Sequence, residues 1–96
     1  MNTTICLISK EDLPSYEIAK GDALSNPSAS ADRRNDLERA MKLGNNEHQK
    51  VKIIFESTEG TMAVETTVWE VTQNYVILKS NMALPIRCVH RVDFFE

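Results

Sequence analysis

The chain has 96 residues, 42% of them hydrophobic, and its 11 Lys and Arg against 14 Asp and Glu give a net charge of −3. This length fits one domain with a thin core, and the apolar content excludes a disordered chain. The charge argues against tight binding to a phosphate backbone, although it leaves a localised nucleic-acid contact possible. We expect a single domain over residues 1–96, with a helical segment over 1–47 and strands over 48–96.

The apolar stretches and the cysteines favour a cytoplasmic protein. The apolar run at residues 5–8 is too short for a signal peptide, and no stretch approaches the roughly 18 apolar residues of a membrane span. Cys6 and Cys88 lack the short spacing of a metal-binding pair, so we expect two thiols in a reducing compartment. We predict no membrane association, no cofactor and no metal.

Two helices are predicted in the N-terminal half. The first begins after Ser9, because acidic residues in its first turn suit the positive end of a helix. It ends at Asn26, because the residue before Pro27 avoids the helical region. Residues 1–8 fit either an edge strand or a tail, and we favour the tail.

The second predicted helix covers residues 31–43. Its apolar residues lie along one stripe, and its charged residues lie mostly elsewhere. Gly44 and Asn45 fit a left-handed C-cap.

The C-terminal half alternates apolar and polar residues, which predicts strands. These strands cover residues 51–57, 61–72, 75–79, 82–86 and 90–95. Val76 and Leu78 are predicted to face the core, and one helical turn precedes the last strand. The long second strand changes phase near Thr66 and Thr67, which predicts a bulge or a sharp bend. A bent strand turns the corner of a small barrel, so we expect the five strands to form an antiparallel barrel.

This hydrophobic pattern resembles the strand order of small SH3-like and Sm-like barrels. The resemblance rests on VWEV at 68–71, YVIL at 75–78 and LPI at 84–86, followed by a turn and by Val89 and Val92. With its helical N-terminal segment, the chain also resembles Sm-like RNA-associated proteins, small Rho-binding antiterminators and many small bacterial proteins. The resemblance implies an α+β, mainly β, fold: two N-terminal helices followed by a five-stranded antiparallel barrel. No binding residue is matched position by position.

No catalytic motif stands out in the sequence. Cys88 and His90 are two residues apart, and on a regular strand they would share a face and form a thiolate–imidazole pair. The helical turn predicted there breaks that parity, and no third residue is found to orient the pair. We therefore predict a protein that is not an enzyme and has no catalytic residues.

Aromatic and basic side chains are the remaining candidates for a functional surface. Trp69 stands where the second strand changes face, and we favour a core position over a half-exposed anchor for a partner. Two adjacent phenylalanines end the last strand and cannot both point inward, so one of them indicates an exposed apolar patch. The candidate interface consists of Trp69, Tyr75, Phe95, Arg87 and Arg91.

Three functional hypotheses follow. The first is a non-enzymatic binding or regulatory module that acts through a protein partner or a second copy of the chain. The second is an Sm-like RNA-binding or transcription-regulating protein, which requires basic residues to converge on one surface beside an aromatic ring. Those basic residues are Lys50, Lys52, Lys79, Arg87 and Arg91. The third is a small enzyme in which Cys88 and His90 meet an acidic residue in a cleft.

Overall fold

The computed structural model describes residues 5–18, 21–22, 24 and 26–95. Within these residues the chain has one α-helix, α1 (Pro27–Glu47), and seven strands. The strands are β1 (Cys6–Ile8), β2 (Val51–Ser57), β3 (Gly60–Thr66), β4 (Val68–Val71), β5 (Tyr75–Leu78), β6 (Met82–Pro85) and β7 (Val89–Phe94). Short 3₁₀ helices cover Lys10–Ser15, Lys79–Asn81 and Ile86–Cys88.

The strands form two separate sheets. The first has the order β1-β3-β2-β7 and is mixed, because β1 runs parallel to β3 while the other neighbours are antiparallel. The second has the order β4-β5-β6 and is antiparallel. The prediction of two helices followed by a closed five-stranded barrel is therefore wrong for the described part of the chain.

The N-terminal segment accounts for much of this difference. Where a long first helix was predicted, the described residues contain only the 3₁₀ helix Lys10–Ser15. Gly21 adopts a φ of +83°, which does not continue a helix. Cys6 pairs with Met62 in the first sheet, so residues 6–8 form an edge strand and not a tail. Residues 1–4, 19–20, 23 and 25 lie outside the described residues, so part of the predicted first helix and part of the predicted tail fall there.

Helix α1 is longer at both ends than predicted. It begins at Pro27, and the side chain of Asn26 caps it by accepting a hydrogen bond from the Ser28 backbone at 2.8 Å. The Asn-Pro pair therefore begins a helix, since proline fits the first helical position. The helix continues through Gly44 to Glu47, and His48 caps its C-terminal end in the left-handed conformation with a φ of 54°.

The predicted break near Thr66 and Thr67 is present, but it separates two strands. Thr66 ends β3 in the first sheet, and Val68 begins β4 in the second. Val68 is fully buried and Thr67 is nearly so, and α1 packs across β4 and β7. The helix therefore lies over the bend between the two sheets.

The core lies between the two sheets and α1. Its fully buried side chains include Leu37, Ala40, Val51, Ile53, Phe55, Val64, Val68, Val76, Leu78 and Val89. The inward orientation predicted for Val76 and Leu78 is confirmed. Among the residues described, no helix combines the length and the apolar character needed to cross a bilayer.

Candidate functional site

The second sheet presents an apolar face to solvent. Val76 and Leu84 pair with each other and are buried, so their neighbours along the strands point to the opposite side. Tyr75 pairs with Pro85 on that side, and Ile77 pairs there with Ala83. We call this surface the aromatic face, and it consists of Trp69, Tyr75, Ile77, Ala83 and Pro85.

Trp69 is exposed and not part of the core. The register of β4 against β5 shifts between Val68 and Glu70, which makes Trp69 the extra residue of a bulge. Val68 is fully buried, whereas the Trp69 side chain is 44% exposed and Glu70 beside it is exposed. The expected core position of Trp69 is therefore wrong, because the bulge turns its ring away from the core.

A cleft of about 570 Å³ opens where the start of α1 meets the end of the aromatic face. We call it the arginine cleft, and its walls include Asp22, Arg33, Arg34, Asn74, Tyr75 and Arg87. Among the described residues that line it, three guanidinium groups against one carboxylate give a net charge of +2. The cleft is therefore positive although the whole chain carries −3.

Arg33 holds three parts of the chain together beneath the cleft. The side chain is 6% exposed, and its Nη1 lies 2.9 Å from Asp22 Oδ1 and donates to the Val89 carbonyl at 3.0 Å. The hydrogen bond from Arg33 holds the pKa of the Asp22 carboxyl below its ordinary value. The Nε of Arg33 is buried and has no hydrogen-bond partner.

Backbone carbonyl groups hold the other two arginines of the cleft. Arg34 Nη2 donates to the carbonyl oxygens of Gln73 at 2.6 Å and Thr72 at 3.2 Å. Arg87 Nη1 donates to the carbonyl of Gly21 at 3.2 Å. In the sequence, Arg33 and Arg34 look like scattered charge that keeps the surface soluble. They line one cleft because each contacts residues that are far away in the chain.

The candidate interface residues do not form one surface. Trp69 and Tyr75 share the aromatic face, and Tyr75 also lines the arginine cleft with Arg87. Arg91 and Phe95 lie on or just after β7 in the other sheet, where the Arg91 Nε lies 3.0 Å from Asp93 Oδ1. The 41% exposed Phe95 is therefore separate from the two aromatic residues of the second sheet.

The lysines expected to join Arg87 do not line the cleft. Lys50 precedes β2 and Lys52 lies within it, so both belong to the first sheet, and Lys79 follows β5. The basic residues that converge beside an aromatic ring are arginines of α1 and of the turn before β7.

Cys88 and His90 do not form a nucleophilic pair. Cys88 is 1% exposed and its thiol donates to the Pro85 carbonyl at 3.0 Å. Burial raises the pKa of this thiol to about 12, so it stays protonated at neutral pH. His90 Nε2 lies 2.8 Å from Glu56 Oε1, and this hydrogen bond lowers the pKa of Glu56.

The described residues contain no group of three or more His, Cys, Asp and Glu side chains placed to hold a metal ion. Compared with protein-family models, curated proteins and solved structures, the chain has no significant match.

Proposed function

We propose that this protein is a non-enzymatic binding module that docks a protein partner on the aromatic face. The observation that supports this most directly is the exposure of two large aromatic side chains on one sheet face, Trp69 at 44% and Tyr75 at 47%. Tryptophan and tyrosine contribute disproportionately to binding at protein interfaces. Half-buried Ile77 lies two residues after Tyr75 on the same face of β5 and adds apolar surface to it.

The charge of the chain favours a different protein over a second copy. Glu70 is exposed beside Trp69, and the whole chain carries a net charge of −3. In a symmetric dimer through this face, two chains of the same net negative charge would approach each other. The occupant we propose is therefore a protein with an apolar anchor for Trp69 and a Lys or Arg for Glu70.

The proposed module works in the cytoplasm. Cys6 and Cys88 are both free thiols, one exposed and one buried, as expected for a protein of a reducing compartment.

The test compares Trp69→Ala with Phe95→Ala, which removes a similarly exposed aromatic ring from the other sheet. The unaltered protein and each variant are immobilised and used to capture proteins from a lysate of the organism whose genome encodes the chain. A protein captured by the unaltered chain is then purified. Calorimetry measures its Kd for the unaltered chain, for both variants and for Glu70→Lys. We expect Trp69→Ala to weaken binding by about 30-fold or more, and Phe95→Ala to leave it unchanged. We expect Glu70→Lys to weaken binding more at low salt than at high salt.

Light scattering over a range of protein concentrations tests the alternative occupant. We expect a monomer. A dimer that Trp69→Ala dissociates would show that the aromatic face binds a second copy, which would contradict the proposal. A partner that binds Trp69→Ala as tightly as the unaltered protein would contradict it as well.

A further inference from the structure

We propose that the arginine cleft is a binding site for a small phosphate-bearing ligand of the nucleoside monophosphate class. In this site, Arg34 and Arg87 bind the phosphate, and the ring of Tyr75 packs against the base. The inference goes beyond the proposed docking function, because it concerns a small molecule in the cleft and not a protein on the sheet.

The charge of the cleft selects an anion. Asp22 is already paired with Arg33, and Arg34 Nη1 lies 3.9 Å from Oε2 of Glu38, a residue that does not line the cleft. Among the described residues of the walls, three arginines and one carboxylate leave a net charge of +2. A phosphate monoester carries a charge close to −2 near neutral pH and offers three acceptor oxygens. Guanidinium groups match those oxygens with paired N–H donors, so phosphate is a ligand that balances both the charge and the donors of the cleft.

The basic groups are held in place before a ligand arrives. Arg34 Nη2 is fixed by the Gln73 and Thr72 carbonyls at 2.6 and 3.2 Å, and Arg87 is tied to the Gly21 carbonyl at 3.2 Å. Fixing long side chains in advance lowers the entropy that binding must remove. Arg33 also lines the cleft, its side chain is 6% exposed, and its buried Nε has no hydrogen-bond partner.

Size and an aromatic wall favour a nucleotide over a bare phosphate ion. The volume of about 570 Å³ lies within the range of roughly 300–1,000 Å³ typical of small-molecule sites and far exceeds what one phosphate fills. Tyr75, 47% exposed, provides a ring on which a base can stack, and Pro85 and Ile86 add apolar wall. Asn74 offers an amide that can both donate and accept hydrogen bonds.

The test is a calorimetric titration of the full chain with AMP, UMP, adenosine and inorganic phosphate. We expect both nucleotides to bind with one site per chain, and adenosine and phosphate each to bind at least about tenfold more weakly. Arg87→Gln is expected to remove most of the nucleotide affinity, and Tyr75→Ala to reduce nucleotide affinity towards that of phosphate. Arg91→Gln is the matched control, because this exposed arginine lies in the other sheet, and it should leave binding unchanged.

Three results would overturn the proposal. The first is no nucleotide binding at millimolar concentration. The second is equal affinity for AMP and inorganic phosphate, which would make the cleft a simple anion site. The third is binding of an eight-nucleotide RNA that is much tighter than binding of AMP or UMP and that weakens steeply with added salt. That result would make this surface a nucleic-acid interface. Urea unfolding of Arg87→Gln and Tyr75→Ala, compared with the unaltered chain, shows whether a loss of binding is only a loss of fold.

Discussion

Replacing Gly44 by alanine tests how closely α1 approaches the bend between the sheets. A β-carbon on Gly44 would overlap the backbone carbonyl of Val68 and would lie 2.9 Å from Thr67 Cγ2. Alanine favours an ordinary helix interior over glycine by about 1 kcal/mol. Overpacking costs about 1–3 kcal/mol, and the upper part of that range applies here because one obstacle is backbone, which cannot rotate away.

We therefore expect Gly44→Ala to lower the free energy of unfolding by about 1–2 kcal/mol. In a domain of this size, each kcal/mol lost lowers Tm by about 4–8 °C. The measurement is urea and thermal unfolding followed by circular dichroism. Asn45→Ala is the control, because this neighbour is exposed in the same turn and should gain a few tenths of a kcal/mol. If Gly44→Ala stabilised the protein as much as Asn45→Ala does, the close approach of helix and strand would be refuted.

Three further predictions concern the Asp22–Arg33 pair, the Thr66 hydroxyl and the two cysteines. Asp22→Asn should lower the free energy of unfolding at neutral pH, because it weakens the pair with Arg33. The Arg33 hydrogen bond depresses the Asp22 pKa from its ordinary 3.8, so this stabilisation is present above that value and disappears as the pH falls through the folded-state pKa. The difference between Asp22→Asn and the unaltered protein should therefore shrink in urea unfolding below about pH 4, and a constant difference would contradict the pairing. Thr66→Val should raise the free energy of unfolding by about 1 kcal/mol, because the buried Thr66 Oγ1 has no hydrogen-bond partner; a decrease in urea unfolding would mean that the hydroxyl is satisfied. A thiol reagent should modify Cys6 quickly in the native protein and Cys88 only after unfolding, because Cys6 is exposed and Cys88 is buried; equal rates in a mass-spectrometric time course would contradict this burial.

Several features of the fold could be predicted because they depend on neighbours in sequence. The alternation of residues 51–57 is sufficient to predict β2, which the structure places at Val51–Ser57. The change of phase near Thr67 predicts a bend in one long strand, and the chain divides at that point into β3 and β4. The spacing of Ile86 and Val89 predicts the single helical turn at Ile86–Cys88. In each case the pattern covers a few consecutive residues.

The remaining features were decided by contacts between distant parts of the chain. In the sequence, Gly44 resembles the residue that caps the end of a helix. In the structure, the Val68 backbone lies so close to Gly44 that a side chain there would overlap it. The arginine cleft is equally non-local, since Arg33 donates to the carbonyl of Val89, 56 residues later.

The sequence by itself determined where most of the strands and the main helix lie, because periodicity and turn residues act over short distances. The tertiary structure decided that residues 6–8 pair with β3, that the strands divide into two sheets and that Trp69 faces solvent. Those outcomes depend on which strands pair and in which register, and a shift of one residue reverses the face that each side chain occupies.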